Sequence, residues 1–271
     1  MTVKIVLVGC GNMGFAMLSG WLTARKVAND EVFVVEPNDD LRGRAAKLGC
    51  QVAAGPQAIP GDANPKLVIF AVKPQVMREI VADYIGFATR KSAFLSIAAG
   101  TPIATFEEIL GSDAAIVRCM PNTPAAIGKG MMVLFSNPQV TGTIRDFVAG
   151  LLSANGEVAT IDDESLMDAV TAVSGSGPAY IFHFIECLTA AAESAGLPQQ
   201  TAKLLAMQTV YGAAALAAES REDPGELRRQ VTSPNGTTAA ALAVLMGEDR
   251  LKTLVTEAVE AARKRGVELG K

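Results

Sequence analysis

The chain has 271 residues, 49% apolar and 19% charged, which excludes a disordered polymer and allows one large or two modest globular domains. A net charge of −4 argues against a nucleic-acid partner, and no uninterrupted apolar run reaches the ~18 residues of a membrane span. Cys10, Cys50, Cys119 and Cys187 lie far apart with no CxxC spacing, so free thiols in a reducing cytoplasm are expected rather than disulfides or a zinc site.

The first strand is expected at Lys4–Val8, close enough to the start to leave no room for a signal peptide. It runs into GCGNMG, where Gly9, Gly11 and Gly14 form a G-x-G-x-x-G pattern ahead of a helical run, Met13–Leu22. In that context Gly9 makes a tight turn, Gly11 admits a pyrophosphate to the backbone and Gly14 allows close helix–strand packing. Cys10, Asn12 and Met13 lie in the same phosphate-facing turn, so all six residues are candidate cofactor ligands. The second strand, Glu31–Glu36, ends on an acid that either binds the adenosine ribose hydroxyls or stands as a solvated strand end. A carboxylate there repels a 2′-phosphate and tilts the cofactor toward NADH over NADPH, although Arg42 and Arg44 follow closely.

Further strands are expected at Leu67–Val72, Phe94–Ile97, Ala115–Met120, Met131–Phe135 and Glu157–Ile161. Their near-continuous apolar character fits parallel strands covered on both faces, and the strand–helix alternation predicts a doubly wound Rossmann-like sheet over residues 1–162. Ligands bind at the carboxyl ends of such strands. Ala71, Val72, Lys73 and Pro74, then Ala98 and Ala99, then Asn122 in CMPNTP fall on that rim, with Asn122 a candidate partner for the nicotinamide carboxamide.

Residues 163–271 read as an all-helical domain, with helices expected at Glu164–Val173, Pro178–Ala195, Gln199–Glu219, Thr238–Met246 and Arg250–Leu269. The run LLAMQTVYGAAALAA is apolar around much of its circumference and should be buried, in an ordinary core or against a second subunit. The single histidine, His183, is expected as a satisfied core residue, and a poly-histidine metal site is impossible. Near the C-terminus VTSPNGTT, Val231–Thr238, precedes a helix yet holds no histidine, carboxylate, lysine or cysteine.

The motifs GCGNMG, AVKPQ, SIAAG, RCMPNTPA, AVSGSGPAY and above all DPGELRRQVTSPNGTTAAAL together resemble the pyrroline-5-carboxylate reductase family over nearly the whole chain. Hydroxyacid dehydrogenases of similar architecture carry a catalytic lysine after a comparable glycine pair, where this chain has Ile181. Asn235 replaces the family's usual glycine, a change tolerable if the backbone there is left-handed. Glu36 replaces a smaller polar residue common in NADP-preferring members. The resemblance implies hydride transfer from NADH or NADPH to the C=N carbon of (S)-1-pyrroline-5-carboxylate, giving L-proline, with no metal. It implies a homodimer of interleaved helical domains, assembled in some members into decamers, with the active site between one subunit's cofactor and its partner's helical domain. It further implies Thr238 as the catalytic hydroxyl, with Ser176, Ser233, Gly236, Thr237 and Glu222 around the substrate. Reduction of a different cyclic imine, or cofactor sensing without turnover, are the alternatives.

Overall fold

The structure is a computed structural model that describes residues 3–270. The chain forms two compact units, one holding residues up to Ser176 together with residues from Ala262 onward, the other Gly177–Ala261.

The first unit is built on eight strands: β1 (Ile5–Val8), β2 (Val32–Val35), β3 (Gln51–Ala53), β4 (Leu67–Phe70), β5 (Ala93–Ser96), β6 (Ile116–Met120), β7 (Gly130–Ser136) and β8 (Gly156–Thr160). They lie in the order β3-β2-β1-β4-β5-β6-β7-β8, and the first six are mutually parallel. Helices α1 (Asn12–Thr23), α2 (Asp39–Lys47), α3 (Met77–Ala82), α4 (Ile85–Ala88), α5 (Ile103–Leu110), α6 (Gly142–Leu152) and α7 (Met167–Val170) complete it. Side chains of a strand alternate between its faces. Ile5 and Leu7 therefore pack with Met17, Leu18 and Trp21 of α1 and with Leu151 and Leu152 of α6. Val6 and Val8 point the other way, toward Met77 and Val81 of α3 and Phe106 of α5. Each such side chain withdrawn from water contributes roughly 1.5–3 kcal/mol, so both faces of β1 are anchored. The strand order reverses between β1 and β4, where doubly wound sheets open a ligand crevice.

The parallel expectation fails at β7, which pairs antiparallel with β6 (Cys119 opposite Leu134), while β8 returns parallel to β7. Residues 121–129 hold only a short 3₁₀ turn, Thr123–Ile127, too short for the crossover a parallel partner needs. β3 was not among the expected strands, being three residues long and only partly buried. The single helix expected over Glu164–Val173 is instead a 3₁₀ turn at Glu164–Leu166, the short α7 and a π turn at Thr171–Gly175. The first unit extends through this segment, whose Glu164 and Ser174 are hydrogen-bonded to loops of the sheet.

The second unit contains α8 (Gly177–Ser194), α9 (Gln199–Ser220), α10 (Pro224–Gln230), α11 (Thr237–Met246) and the start of α12 (Arg250–Leu269). Gly196, at φ +95°, ends α8: its N–H donates to the Glu193 carbonyl and the Leu197 N–H to the Ala192 carbonyl, the left-handed stop that glycine makes without steric cost. Asp223 accepts the Gly225 N–H at 2.7 Å and starts α10, with Pro224 at its first position. Among the described residues of this unit only Ala202 and Ala206 are buried. The α9 run expected to be buried is open in the single chain: Leu204 is 67% and Tyr211 68% exposed. His183 is likewise no core residue, with a side chain 76% exposed and Nδ1 2.9 Å from Glu186 Oε2. A helical unit with so little interior cannot offset its ordering entropy alone.

Candidate active site

The glycine-rich turn has the geometry its pattern requires. Gly9 sits at φ +90°, and a Cβ there would lie 2.7 Å from the Ala71 carbonyl oxygen. A Cβ on Gly14 would lie 2.5 Å from the Gly9 carbonyl oxygen, so this position is closed by packing. A Cβ on Gly11 would meet nothing within 4 Å, so its side faces the space a ligand would take. Gly11 caps α1 without a side-chain hydrogen bond, and the first-turn amides of Asn12, Met13 and Gly14 have no intrahelical acceptor. That end of α1 suits a pyrophosphate through both its N–H groups and its dipole.

Glu36 lies just past β2 and is buried. Its Oε2 accepts the Cys10 N–H at 2.7 Å and its Oε1 the Asn38 N–H at 2.9 Å. Glu36 is thus not a solvated strand end, and its charge stands beside the glycine-rich turn. Two arginines stand nearby, and the charge of Arg44 reaches the Cys10 thiol beside Glu36. Arg42 Nη1 donates to the Glu36 and Pro37 carbonyls and its Nη2 pairs with Asp39, while Arg44 stacks 4.0 Å from the Phe15 ring centroid. Burial and the neighbouring Glu36 push the Cys10 thiol up to about 11, so it stays protonated at neutral pH.

Two further strand ends carry the remaining rim residues. Ala71 donates its N–H to the Val8 carbonyl at 2.7 Å; Val72 is half-buried, Lys73 is exposed and Pro74 opens a 3₁₀ turn. Beyond β5, Ala98 is buried and donates to Ser96 Oγ at 3.2 Å, with Ala99 beside it half-buried. Asn122, beyond β6, is engaged at both ends. Its Oδ1 accepts the Met131 N–H at 2.8 Å and its Nδ2 donates to the Ser174 carbonyl at 3.0 Å. The expected contact with a nicotinamide would have to compete with these bonds.

The sequence reading missed an ion pair beneath this rim. Arg118 of β6, almost fully buried, donates through Nη1 to Glu164 Oε1 at 2.8 Å, and the same oxygen accepts the Ile103 N–H at 2.7 Å. One carboxylate oxygen therefore ties β6 to the start of α5, next to Gly100 and Pro102. Gly100 and Pro102 line a cavity of about 370 Å³ together with Arg118, Glu164, Asp168 and Val267. The partners are 46 residues apart, and no local pattern signals the pairing.

The candidate substrate residues fall in two places. Ser176, half-buried, closes the π turn by donating its N–H to the Thr171 carbonyl at 2.8 Å. Ser233, Gly236, Thr237 and Thr238 form one turn at the head of α11 in the helical unit. Gly236 is the N-cap and donates to the Ser233 carbonyl at 3.0 Å, and no side chain caps the helix. Asn235 stands at φ +61°, the left-handed conformation its replacement of glycine requires. Gly236 and Thr238 are half-buried, Ser233 and Thr237 exposed. Glu222 is exposed and accepts from Gln230 Nε2 at 2.6 Å, which ties it to the end of α10. Among the described residues no three His, Cys, Asp or Glu side chains are placed to hold a metal, and no helix is long and apolar enough to cross a membrane.

A doubly wound sheet with a glycine-cradled helix terminus, joined to a helical unit, defines a Rossmann-type oxidoreductase with a helical C-terminal domain. Residues 4–100 match the NADP oxidoreductase, coenzyme F420-dependent, family, and residues 164–269 match the pyrroline-5-carboxylate reductase dimerisation family. The chain is 39% identical to the pyrroline-5-carboxylate reductase of Pseudomonas aeruginosa, over 99% of this chain and 97% of that one. Its fold is similar to a pyrroline-5-carboxylate reductase from Coxiella burnetii, with a TM-score of 0.92 and 34% identity over 100% of both chains. It is also similar to Plasmodium falciparum pyrroline carboxylate reductase with NADP bound, with a TM-score of 0.84 and 29% identity over 99% and 98% of the two chains. The chain belongs to the pyrroline-5-carboxylate reductase family.

Proposed function

We propose that the protein reduces (S)-1-pyrroline-5-carboxylate to L-proline, the final step of proline biosynthesis, in the cytoplasm. A bound dihydronicotinamide supplies the hydride to the C=N carbon. The observation that carries this reading is the head of α11, where Gly236, Thr237 and Thr238 stand uncapped in a segment with nothing to titrate.

Ketone reduction generates an alkoxide and demands a strong proton donor. A cyclic imine can enter protonated, and hydride addition to that iminium yields a neutral amine directly. The protein then has to hold the ring in line, which is positioning rather than acid–base work. The free amides at the α11 terminus suit the substrate carboxylate, helped by the helix dipole. Ser233 shapes that pocket, Thr238 Oγ1 hydrogen-bonds the ring nitrogen and Ser176 is a further substrate contact. Glu222, held by Gln230, stands at the margin.

NADH is the preferred cofactor on this reading. The buried Glu36 carboxylate meets the ribose hydroxyls and would repel a 2′-phosphate, while Arg42 is held by the Glu36 and Pro37 carbonyls and by Asp39. The exposed apolar surface of α9 supports a homodimer with interleaved helical units, in which the partner's α11 turn completes each site; decamers of such dimers are a further level of the same assembly. Purified protein given pyrroline-5-carboxylate and NADH is expected to form proline in step with cofactor loss. Formation of no proline would refute the assignment.

A further inference from the structure

We infer that Asn122 acts as a positioning residue for the substrate side of the site, through Ser176, rather than as a ligand of the nicotinamide. The inference rests on the reaction proposed above and concerns how one strand-end loop serves it.

The Ser174 carbonyl carries the argument. In a regular helix it would accept the N–H of the residue four places on, but that residue is Pro178, which has none. Just ahead of Pro178 the chain forms a π turn over Thr171–Gly175, closed by the Ser176 N–H on the Thr171 carbonyl at 2.8 Å. Asn122 Nδ2, from 52 residues earlier, supplies a donor to the Ser174 carbonyl at 3.0 Å. A carbonyl partly withdrawn from water is costly to leave without a donor, so this bond has a reason to persist. The other end of the same carboxamide accepts the Met131 N–H at 2.8 Å, which fixes it to β7. The carboxamide cannot be re-aimed at a ligand without losing one bond.

The π turn also sits directly on the end of β6. A Cβ on Gly175 would lie 2.6 Å from Met120 Cε. Ser176, two residues beyond the pinned carbonyl, therefore takes its place from Asn122 and β6 together. Single π turns in longer helices recur at functional sites, where they aim a side chain.

The test compares Asn122→Asp with wild-type enzyme. Aspartate keeps an acceptor for the Met131 N–H but sets an oxygen against the Ser174 carbonyl in place of the donor. NADH affinity is measured by binding without substrate, and KM and kcat by steady-state reduction of pyrroline-5-carboxylate. Wild-type turnover establishes the reaction first; its absence would count against the proposed function and not against this coupling alone. With turnover established, Asn122→Asp is expected to raise the substrate KM about tenfold while the NADH Kd changes by less than about twofold. Adding Ser176→Ala to Asn122→Asp is expected to have little further effect, since both changes act through one group. A parallel loss of NADH affinity would make Asn122 a cofactor ligand and overturn the inference. Additive effects with Ser176→Ala, or an unchanged substrate KM, would overturn it too. Should the aspartate variant not fold, Asn122→Ala, which removes the donor without adding charge, is read by the same criteria.

Discussion

The Glu36 carboxylate accepts the backbone N–H of Cys10 at 2.7 Å, so one side chain joins the end of β2 to the middle of the glycine-rich turn. The residue proposed to select the cofactor is therefore bonded into the turn proposed to cradle its phosphates. Glu36→Ser is expected to raise the ratio of kcat/KM for NADPH over NADH about tenfold, the effect of removing roughly 1.4 kcal/mol of repulsion. Because serine also abandons the Cys10 amide, affinity for both cofactors should fall. Glu36→Gln, which keeps an acceptor, should shift the ratio in the same direction with a smaller loss. A ratio unmoved in both variants would remove Glu36 from cofactor choice.

Gly11 and Gly14 separate two uses of glycine within one motif. A methyl group on Gly14 would collide with the Gly9 carbonyl, at a cost of about 1–3 kcal/mol, so Gly14→Ala should lower the melting temperature by several degrees. Gly11 has open space beside it and φ −63°, so Gly11→Ala should fold with nearly wild-type stability yet bind NADH about tenfold more weakly. Calorimetry for stability and cofactor titration for binding distinguish the two. Equal destabilisation in both variants would contradict the packing argument.

Thr238 is the hydroxyl assigned to the ring nitrogen. Thr238→Ala should lower kcat about tenfold, roughly 1.4 kcal/mol of transition-state stabilisation, with the fold intact by circular dichroism. Thr238→Ser should recover much of the loss. Unchanged kinetics in the alanine variant would remove Thr238 from the mechanism.

The helical unit predicts its own dependence on a second copy. Leu204 and Tyr211 lie on α9 in the open, and burying one leucine contributes roughly 1.5–3 kcal/mol. Leu204→Glu should shift the protein toward monomer by light scattering and lower its melting temperature. A variant that stays fully dimeric with unaltered stability would place the interface elsewhere.

Burial pushes the Cys10 and Cys50 thiols from 9.0 up to about 11. In the unfolded chain they ionise first, so the stability they contribute is fully present below about pH 9 and lost as the pH rises toward about 11. The wild type should therefore lose more stability between about pH 8 and about pH 10.5 than a Cys10→Ala, Cys50→Ala variant, measured by denaturant midpoint. Equal losses would show that other groups govern the alkaline limb.

Much of the first unit was legible because its strands are short, continuous apolar runs ending in glycine or proline loops, as at Ile5–Val8 and Leu67–Phe70. The direction of β7 was not, since GMMVLFS reads the same whichever way it runs; only the brevity of residues 121–129 decides it. The π turn escaped for a related reason. Pro178 removes a donor locally, but the replacement comes from Asn122, and no window of sequence contains both. Arg118 and Glu164 pair across a similar separation. The exposure of α9 was ambiguous in principle, since an apolar run states that a surface needs covering and not which chain covers it. A left-handed Asn235 was only the condition under which asparagine could replace glycine, and the backbone meets it at φ +61°.

The central claim is that this site reduces a cyclic imine without a titratable proton donor. Its most direct test is the rate of NADH oxidation when pyrroline-5-carboxylate is added to the purified protein, followed by the absorbance of the reduced cofactor. The account predicts rapid oxidation, proline formed one-for-one, and a faster rate with NADH than with NADPH. Cofactor binding with no substrate-dependent oxidation would contradict it.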